Sequence, residues 1–346
     1  MQAIPSLKGI IEYPFKLITH QDLSEGIRDE FSKKYSDKIC LTVDKCGAGS
    51  YGLIVDRAVF TDELARSEKC CSSVLRLRNF TIIEGSLEML PEWILHLELV
   101  NCRFQNMTVD LTALKIQVLK FDDCDFGCYT TALRCPETLR KITLRKCHQL
   151  SSEDVKIPGS LQVLSLYGCD DTEMSRLRFP EGLKTFKVAK CPWVTEATFQ
   201  KLPKSVTSVK IWEISALGDD IFKNLPLRLE KLLISRCPLI KHLSFDHLSS
   251  LRSLKLIQLE NVNDAAIMSI PERVNKMAIL EMPHISCESY ENLAARSLEK
   301  LCISLSNLFY LMNIMKVWQR LDDFSMRLSF ANQYSKGLAS PVDKIY

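Results

Sequence analysis

The sequence predicts an α/β solenoid: a stack of short coils with a parallel sheet along one side and short helices or turns along the other. Three observations carry the prediction. An apolar motif recurs every 22 to 24 residues, a cysteine stands at a fixed offset in most copies, and a proline stands three residues ahead of many of them. A period of this size marks a chain in which each unit is one supersecondary element, unable to bury its apolar face without its neighbours.

The motif reads L-x-x-L-x-L-x-x-C, with other apolar residues admitted at the L positions. It occurs at Ile94/Leu97/Leu99/Cys102, Ile116/Leu119/Phe121/Cys124, Leu139/Ile142/Leu144/Cys147, Leu161/Leu164/Leu166/Cys169 and Leu183/Phe186/Val188/Cys191. It continues at Val206/Val209/Ile211/Ile214, Leu229/Leu232/Ile234/Cys237, Leu251/Leu254/Leu256/Leu259, Val274/Met277/Ile279/Met282 and Leu298/Leu301/Ile303. The same step reaches Leu75/Leu77/Phe80 before the series, Leu321/Phe324/Met326 after it, and a looser copy at Leu41/Val43/Cys46.

Positions four and six of the motif are two apart, so on an extended segment they share one face while the residues between them face solvent. Stacked coils bury that face, with neighbouring strands pairing in parallel about 4.8 Å apart. This predicts strands centred near residues 98, 120, 143, 165, 187, 210, 233, 255, 278 and 302. Cysteine suits the point where the chain leaves the strand and turns inward, being small, apolar and a weak donor. Cys102, Cys124, Cys147, Cys169, Cys191 and Cys237 are accounted for in this way, as reduced and buried thiols. Pro91, Pro136, Pro158, Pro180, Pro203, Pro226 and Pro271 push the residue before them out of helical geometry, ending one segment and starting the next strand.

On these residues the unit resembles the leucine-rich repeat. Its second halves, such as "CPWVTEATFQKL" from Cys191 and "LENVNDAAIMSI" from Leu259, resemble the cysteine-containing subtype found in ubiquitin-ligase receptors. The copies are a few residues shorter than that subtype, and the regular proline is closer to short-repeat variants. The resemblance implies a leucine-rich-repeat horseshoe over residues 38–332, with a concave parallel sheet and short helices or turns on the convex side. Residues 46–72 read as an irregular insertion and 333–346 as a tail.

Composition limits the function classes. With 346 residues, 46% hydrophobic and 25% charged, the chain can bury a sizeable core. Its 45 basic and 42 acidic residues are too balanced for nucleic-acid binding by net charge. The start "MQAIPSLKGIIEYPF" lacks a secretory pattern, and the longest apolar cluster, Asn307 to Met315, is too short to span a bilayer. A cytoplasmic or nuclear protein with no membrane partner is therefore expected. Its fourteen cysteines then read as free thiols, and the glycosylation patterns at Asn79 and Asn106 as unmodified.

Catalytic signals are few, and no enzyme, cofactor or metal site is expected. "GAGSYG", Gly47 to Gly52, matches G-x-G-x-x-G after an apparent strand at Leu41 to Val43, which keeps a phosphate-ligand reading in view. The following helix and placed acid of a dinucleotide site are missing, as are the ordered elements of a kinase. Cys70 and Cys71 are adjacent rather than spaced for a tetrahedral zinc site. His242 and His247 lie five apart without a glutamate beside the first.

The N-terminal 37 residues match no repeat. "HQDLSEGIRDEFSKKY" sets Leu23, Ile27, Phe31 and Tyr35 four apart on one helical stripe that Asp22 can cap, which suits a lid on the open end of the solenoid. Ile4-Pro5, Leu17, Asp22-Leu23 and "FSKKY" also resemble, in order, landmarks of the F-box, and "SLKGIIEYPF" resembles the box that binds elongin C. That resemblance implies a substrate receptor of a cullin-RING (SCF-type) ubiquitin ligase. Pro5, Leu7, Leu17, Leu23, Ile27 and Phe31 would meet a Skp1-like adaptor or elongin C. A stand-alone scaffold or effector with the same repeats is the alternative. At the other end, Leu308, Leu311, Met315 and Trp318 predict a helix packed on the last coil.

The binding face can be read from the outward strand positions. They carry Lys120, Lys141, Arg145, Lys187, Lys210, Lys231, Lys255, Lys276 and Lys300, against the acids Glu98, Asp122, Glu213 and Glu281. Among the lysines stand Tyr167, Trp212, Leu233, Ile257 and Leu280, with Tyr167 and Trp212 expected as exposed interface anchors. The expectation is a basic concave face that binds a protein through an acidic segment of that partner.

Overall fold

A computed structural model describes residues 40–45, 51–56, 74–79, 81–82, 87, 90, 94–104, 108–127, 132–147, 150, 155–169, 177–294, 296, 298–305 and 324–328. The strands are β1 (Cys40–Lys45), β2 (Tyr51–Asp56), β3 (Val74–Arg78), β4 (Thr81–Ile82), β5 (His96–Val100), β6 (Arg103–Phe104) and β7 (Val109–Asp110). They continue as β8 (Val118–Asp122), β9 (Leu133–Arg134), β10 (Lys141–Arg145), β11 (Val155–Lys156), β12 (Val163–Tyr167) and β13 (Thr185–Ala189). The last are β14 (Ser208–Trp212), β15 (Lys231–Ser235), β16 (Ser253–Ile257), β17 (Lys276–Leu280), β18 (Lys300–Leu305) and β19 (Phe324–Leu328). Short helices cover Glu196–Gln200, Ile221–Asn224, Asp264–Met268 and Cys287–Ala294.

One 14-stranded sheet runs β1-β2-β3-β5-β8-β10-β12-β13-β14-β15-β16-β17-β18-β19. From β2 onward every pairing is parallel and in register with the repeat, as in Leu144 beside Leu166 and Ile303 beside Met326. This is the parallel solenoid that the period predicts, with strands centred where the motif places them. Motif positions four and six point into one continuous core, which includes Leu97, Leu119, Leu164, Val209 and Leu301.

Each coil is opened and closed by a turn. The proline ahead of the motif accepts a hydrogen bond from the backbone N–H of the first apolar residue, as in Leu139 to Pro136 at 3.0 Å, Leu161 to Pro158 at 3.1 Å and Val274 to Pro271 at 3.1 Å. After the strand the chain turns at a residue with positive φ: Asn79, Asn101, Asp123, Lys146, Gly168, Lys190, Glu213, Arg236, Gln258 and Glu281. Each L-residue in this conformation costs about 1–2 kcal/mol. The turn aims the next residue, usually the cysteine, into the core. It also extends the ladder by one bond, as where the Asn101 N–H donates to the Asp122 carbonyl at 2.8 Å and the Glu213 N–H to the Ser235 carbonyl at 2.9 Å.

All six repeated cysteines are free and buried. The Cys124 thiol donates to the Leu99 carbonyl of the preceding coil at 3.3 Å, and the Cys237 thiol to the Ser235 carbonyl at 3.4 Å. Burial pushes the Cys237 thiol up to about 11 and that of Cys135 up to about 12, which keeps both protonated and inert.

Two expectations are corrected. The copy at Leu41/Val43 is no coil, because β1 pairs antiparallel with β2. The true upstream coil is β2, whose Leu53 and Val55 lie in register with Leu75 and Leu77, so 46–72 holds a regular repeat strand. The phosphate-loop reading of Gly47–Gly52 fails with it. Lys45 pairs with Tyr51 and Asp44 with Gly52, so the segment joins two antiparallel strands and opens no helix whose N-terminus could face a phosphate. Gly47 to Ser50 lie outside the described residues. On the convex side, the described residues of the later coils carry the short helices expected there. Earlier coils use the short parallel ladders β4-β6 and β11-β9-β7. Those segments, such as Thr81–Ile82 and Val109–Asp110, bring β-branched residues, whereas the Asp264–Met268 helix starts behind Asn263, whose Oδ1 accepts from the Ala266 N–H at 3.3 Å. The N-terminal residues 1–37, with Pro5, Leu7, Leu17, Leu23, Ile27 and Phe31, lie outside the described residues, as do the segment from Leu308 to Trp318 and the 333–346 tail.

Candidate functional site

The concave sheet presents three outward columns, at the first, middle and last positions of each strand. Registers between neighbours fix which side chains meet. The middle column runs Arg76, Glu98, Lys120, Thr143, Ser165, Lys187, Lys210, Leu233, Lys255 and Ala278.

Its first part neutralises itself. Arg76 Nε donates to Glu98 Oε2 at 2.6 Å and Lys120 Nζ to Glu98 Oε1 at 2.6 Å. Lys120 also lies 3.3 Å from Asp122, and Arg145 Nε 3.8 Å from the same carboxylate. Glu98 is only 5% exposed. Burial works to raise its pKa, but the Lys120 and Arg76 hydrogen bonds and charges outweigh that and hold the carboxyl below its ordinary value. Burial lowers the pKa of the neighbouring His96, which the Glu98 charge opposes.

Further along, the compensation stops. Lys187 and Lys210 are direct neighbours on β13 and β14. Lys255 follows two strands on, across Leu233, and Lys231 flanks them in the first column beside Ser208 and Ser253. Among the described residues no carboxylate lies within ion-pair distance of Lys141, Lys187, Lys210, Lys231 or Lys255. Burial lowers the pKa of Lys187 and Lys210. Lys141 adds to the effect on Lys187, and Lys187, Lys255 and Lys231 add to that on Lys210.

The structure therefore divides the residues expected to bind a partner. Lys120 and Arg145 are held by Glu98 and Asp122. Lys141, Lys231 and Lys255 are exposed, and Lys187 and Lys210 half-buried. Tyr167, Trp212, Leu233 and Ile257 do lie on the concave side, yet the expected exposure is corrected: Trp212 is 2% exposed, Leu233 3% and Ile257 1%. Trp212 packs with Ala189 and Leu233, and its ring centroid stands 6.2 Å from that of Tyr167. Ala189 lies between these rings in the last column, and its small side chain leaves them room to meet. These groups form an apolar floor under the lysines rather than protruding anchors. Beside Trp212 on β15 lies Ser235, wholly buried, with no hydrogen-bond partner for its Oγ among the described residues.

Sequence reasoning placed Glu213 and Glu281 on the strands, but they occupy the left-handed turn just after them. There Lys190 Nζ lies 3.3 Å from Glu213, Arg236 bonds Glu213 at 3.0 Å, Arg236 donates to Gln258, and Gln258 donates to Glu281. This ladder floors a groove of about 720 Å³ that Pro238 and Pro283 also line. The signal for it was the residue before each cysteine position, which is polar or glycine from Asn101 through Glu281. Among the described residues no group of three ligating side chains could hold a metal ion, and no helix is long and apolar enough to cross a membrane.

No family model matches the chain, and no curated protein matches it. Among solved structures, an internalin from Listeria monocytogenes is similar at 14% identity over 81% of this chain and 82% of that one, with a TM-score of 0.42.

Proposed function

We propose that this chain is a non-catalytic protein-binding module whose partner lays an acidic segment across the concave sheet between Lys141 and Lys255. The observation that supports it is the uncompensated row of Lys187, Lys210 and Lys255, flanked by Lys141 and Lys231, over an apolar floor. Like charges brought this close repel one another, and an acidic segment relieves the repulsion as it binds. Such complementarity raises the association rate and suppresses wrong partners.

The test is fluorescence anisotropy with a labelled decaglutamate peptide. Affinity should fall steeply with salt, and the Lys187→Glu/Lys210→Glu/Lys255→Glu variant should lose binding while keeping its circular dichroism. Unchanged binding by that variant rules the face out.

Our finer reading is a substrate receptor of a cullin-RING (SCF-type) ligase, acting in the cytoplasm or nucleus. It rests on the F-box-like order of Pro5, Leu17 and Leu23 and on the stripe through Ile27 and Phe31. Co-purification of the full chain with a Skp1-like adaptor or elongin C, lost on Leu17→Asp/Leu23→Asp, is the result expected. Failure to co-purify leaves the stand-alone scaffold.

A further inference from the structure

Resting on that reading of the concave face, we infer that the group received between Lys187, Lys210, Lys231 and Lys255 is a phosphorylated side chain of the partner protein, rather than a run of carboxylates.

Charge density separates the two kinds of ligand. Lys187 and Lys210 extend from adjacent strands about 4.8 Å apart, while Lys231 and Lys255 approach from the next two strands. The four side chains stand on four successive strands, about three strand spacings or roughly 14 Å from end to end, with Lys210 next to Lys187 and within reach of the charges of Lys255 and Lys231. An extended acidic segment presents carboxylates on one face only every roughly 7 Å, so it sets one or two charges there. A phosphoryl group brings about −1.5 to −2 charges and three acceptor oxygens to a single point, enough to bridge several ammonium groups. Leu233, beside Lys210 in the same column, and Trp212, two residues on along the same strand, are buried apolar neighbours that lower the local polarity and so strengthen each contact.

A nucleic-acid backbone fits less well. Its charges recur along a line, about 3.4 Å apart per strand, whereas the basic column here is broken by Leu233 and gives way to Ser165 and Thr143, beyond which Lys120 and Arg145 are already paired.

The experiment presents immobilised full-length protein with three peptide libraries of equal length and degenerate flanks, carrying serine, glutamate or phosphoserine at the centre. Enrichment of the phosphoserine library by about tenfold over glutamate is expected. It should be lost in Lys210→Met and, independently, in Lys187→Met, which keep the apolar stems, and be unchanged in Lys156→Met on the convex side. Lowering the pH from 7.5 to 5.5 crosses the second phosphate ionisation near 6, so it should weaken the phosphoserine library and leave the glutamate one untouched. Equal retention of phosphoserine and glutamate overturns this inference while leaving an acidic-segment surface in place. No retention of either, or retention indifferent to Lys187 and Lys210, overturns both. Tighter binding of single-stranded RNA than of the selected phosphopeptides overturns the choice of a protein ligand.

Discussion

Two stretches of one sheet face, built from the same coils, solve the problem of basic side chains in opposite ways. From Arg76 to Arg145 each of the cations Arg76, Lys120 and Arg145 finds Glu98 or Asp122 in register. From Lys187 to Lys255 no acid takes that place; serine, threonine, alanine and leucine do. The difference is one of lateral partners rather than composition. The first stretch uses charge to tie coils together, while the second leaves charge free to meet a partner. A repeat protein can thus confine a binding surface to part of its length without changing its core.

Removing the floor of the second stretch should have the largest effect. Trp212→Ala deletes a ring buried against Ala189, Leu233 and Tyr167, and should cost about 3–5 kcal/mol of stability in urea unfolding. A loss below about 1 kcal/mol would show that Trp212 is exposed in solution.

Next comes the contrast in charge. Glu98→Gln leaves Arg76 and Lys120 without their shared counter-ion and should cost about 2 kcal/mol, less than a fully buried pair because both cations keep some water. Lys210→Glu should do the reverse. It sets an acid among Lys187, Lys231 and Lys255, so stability should rise by about 0.5–1 kcal/mol even as an acidic ligand is lost. Equal signs for the two substitutions would erase the distinction between the stretches.

Acid sensitivity should come mainly from the first stretch and the convex inter-coil contacts. His96 has a folded pKa below 6.5, so the unfolded chain takes up its proton first and stability falls as pH drops below that value. Glu98 is likewise held below 4.5. Asp219 is held below 3.8 by the backbone N–H groups of His242 and Lys241, and Asp264 by that of Ser286, each against a desolvation that raises it. Their contribution is complete above those values and is lost as pH falls through the folded ones. Urea midpoints from pH 7 to 3 should therefore decline in two stages, and His96→Gln should remove the first.

A smaller gain is expected at the turns. Lys146 has φ 48° and its side chain makes no hydrogen bond or ion pair among the described residues, so Lys146→Gly should stabilise by about 1 kcal/mol in thermal unfolding.

Much of the architecture was legible because the period fixes both the strand centres and which residues face inward. Leu164 and Leu166, or Met277 and Ile279, need only an alternation of two to be placed in the core. What escaped depends on neighbours about 22 residues away. Trp212 reads as exposed on its own strand, and its burial follows only from the small Ala189 beside it, with Tyr167 beyond. Lys120 and Lys210 look alike along the chain and differ in what the next strand brings, Glu98 in one case and Lys187 in the other. The strand at Leu53 and Val55 was hidden because the glycines before it suggested a loop.

The central claim, that Lys210 carries uncompensated charge which an acidic ligand relieves, is tested most directly by its own titration. Heteronuclear NMR on the side-chain methylene and ammonium of Lys210 should give a pKa below the ordinary 10.5 in the free protein, rising when the decaglutamate or selected phosphopeptide is added. A value at or above 10.5 in the free protein, or one that the peptides leave unmoved, would contradict the account.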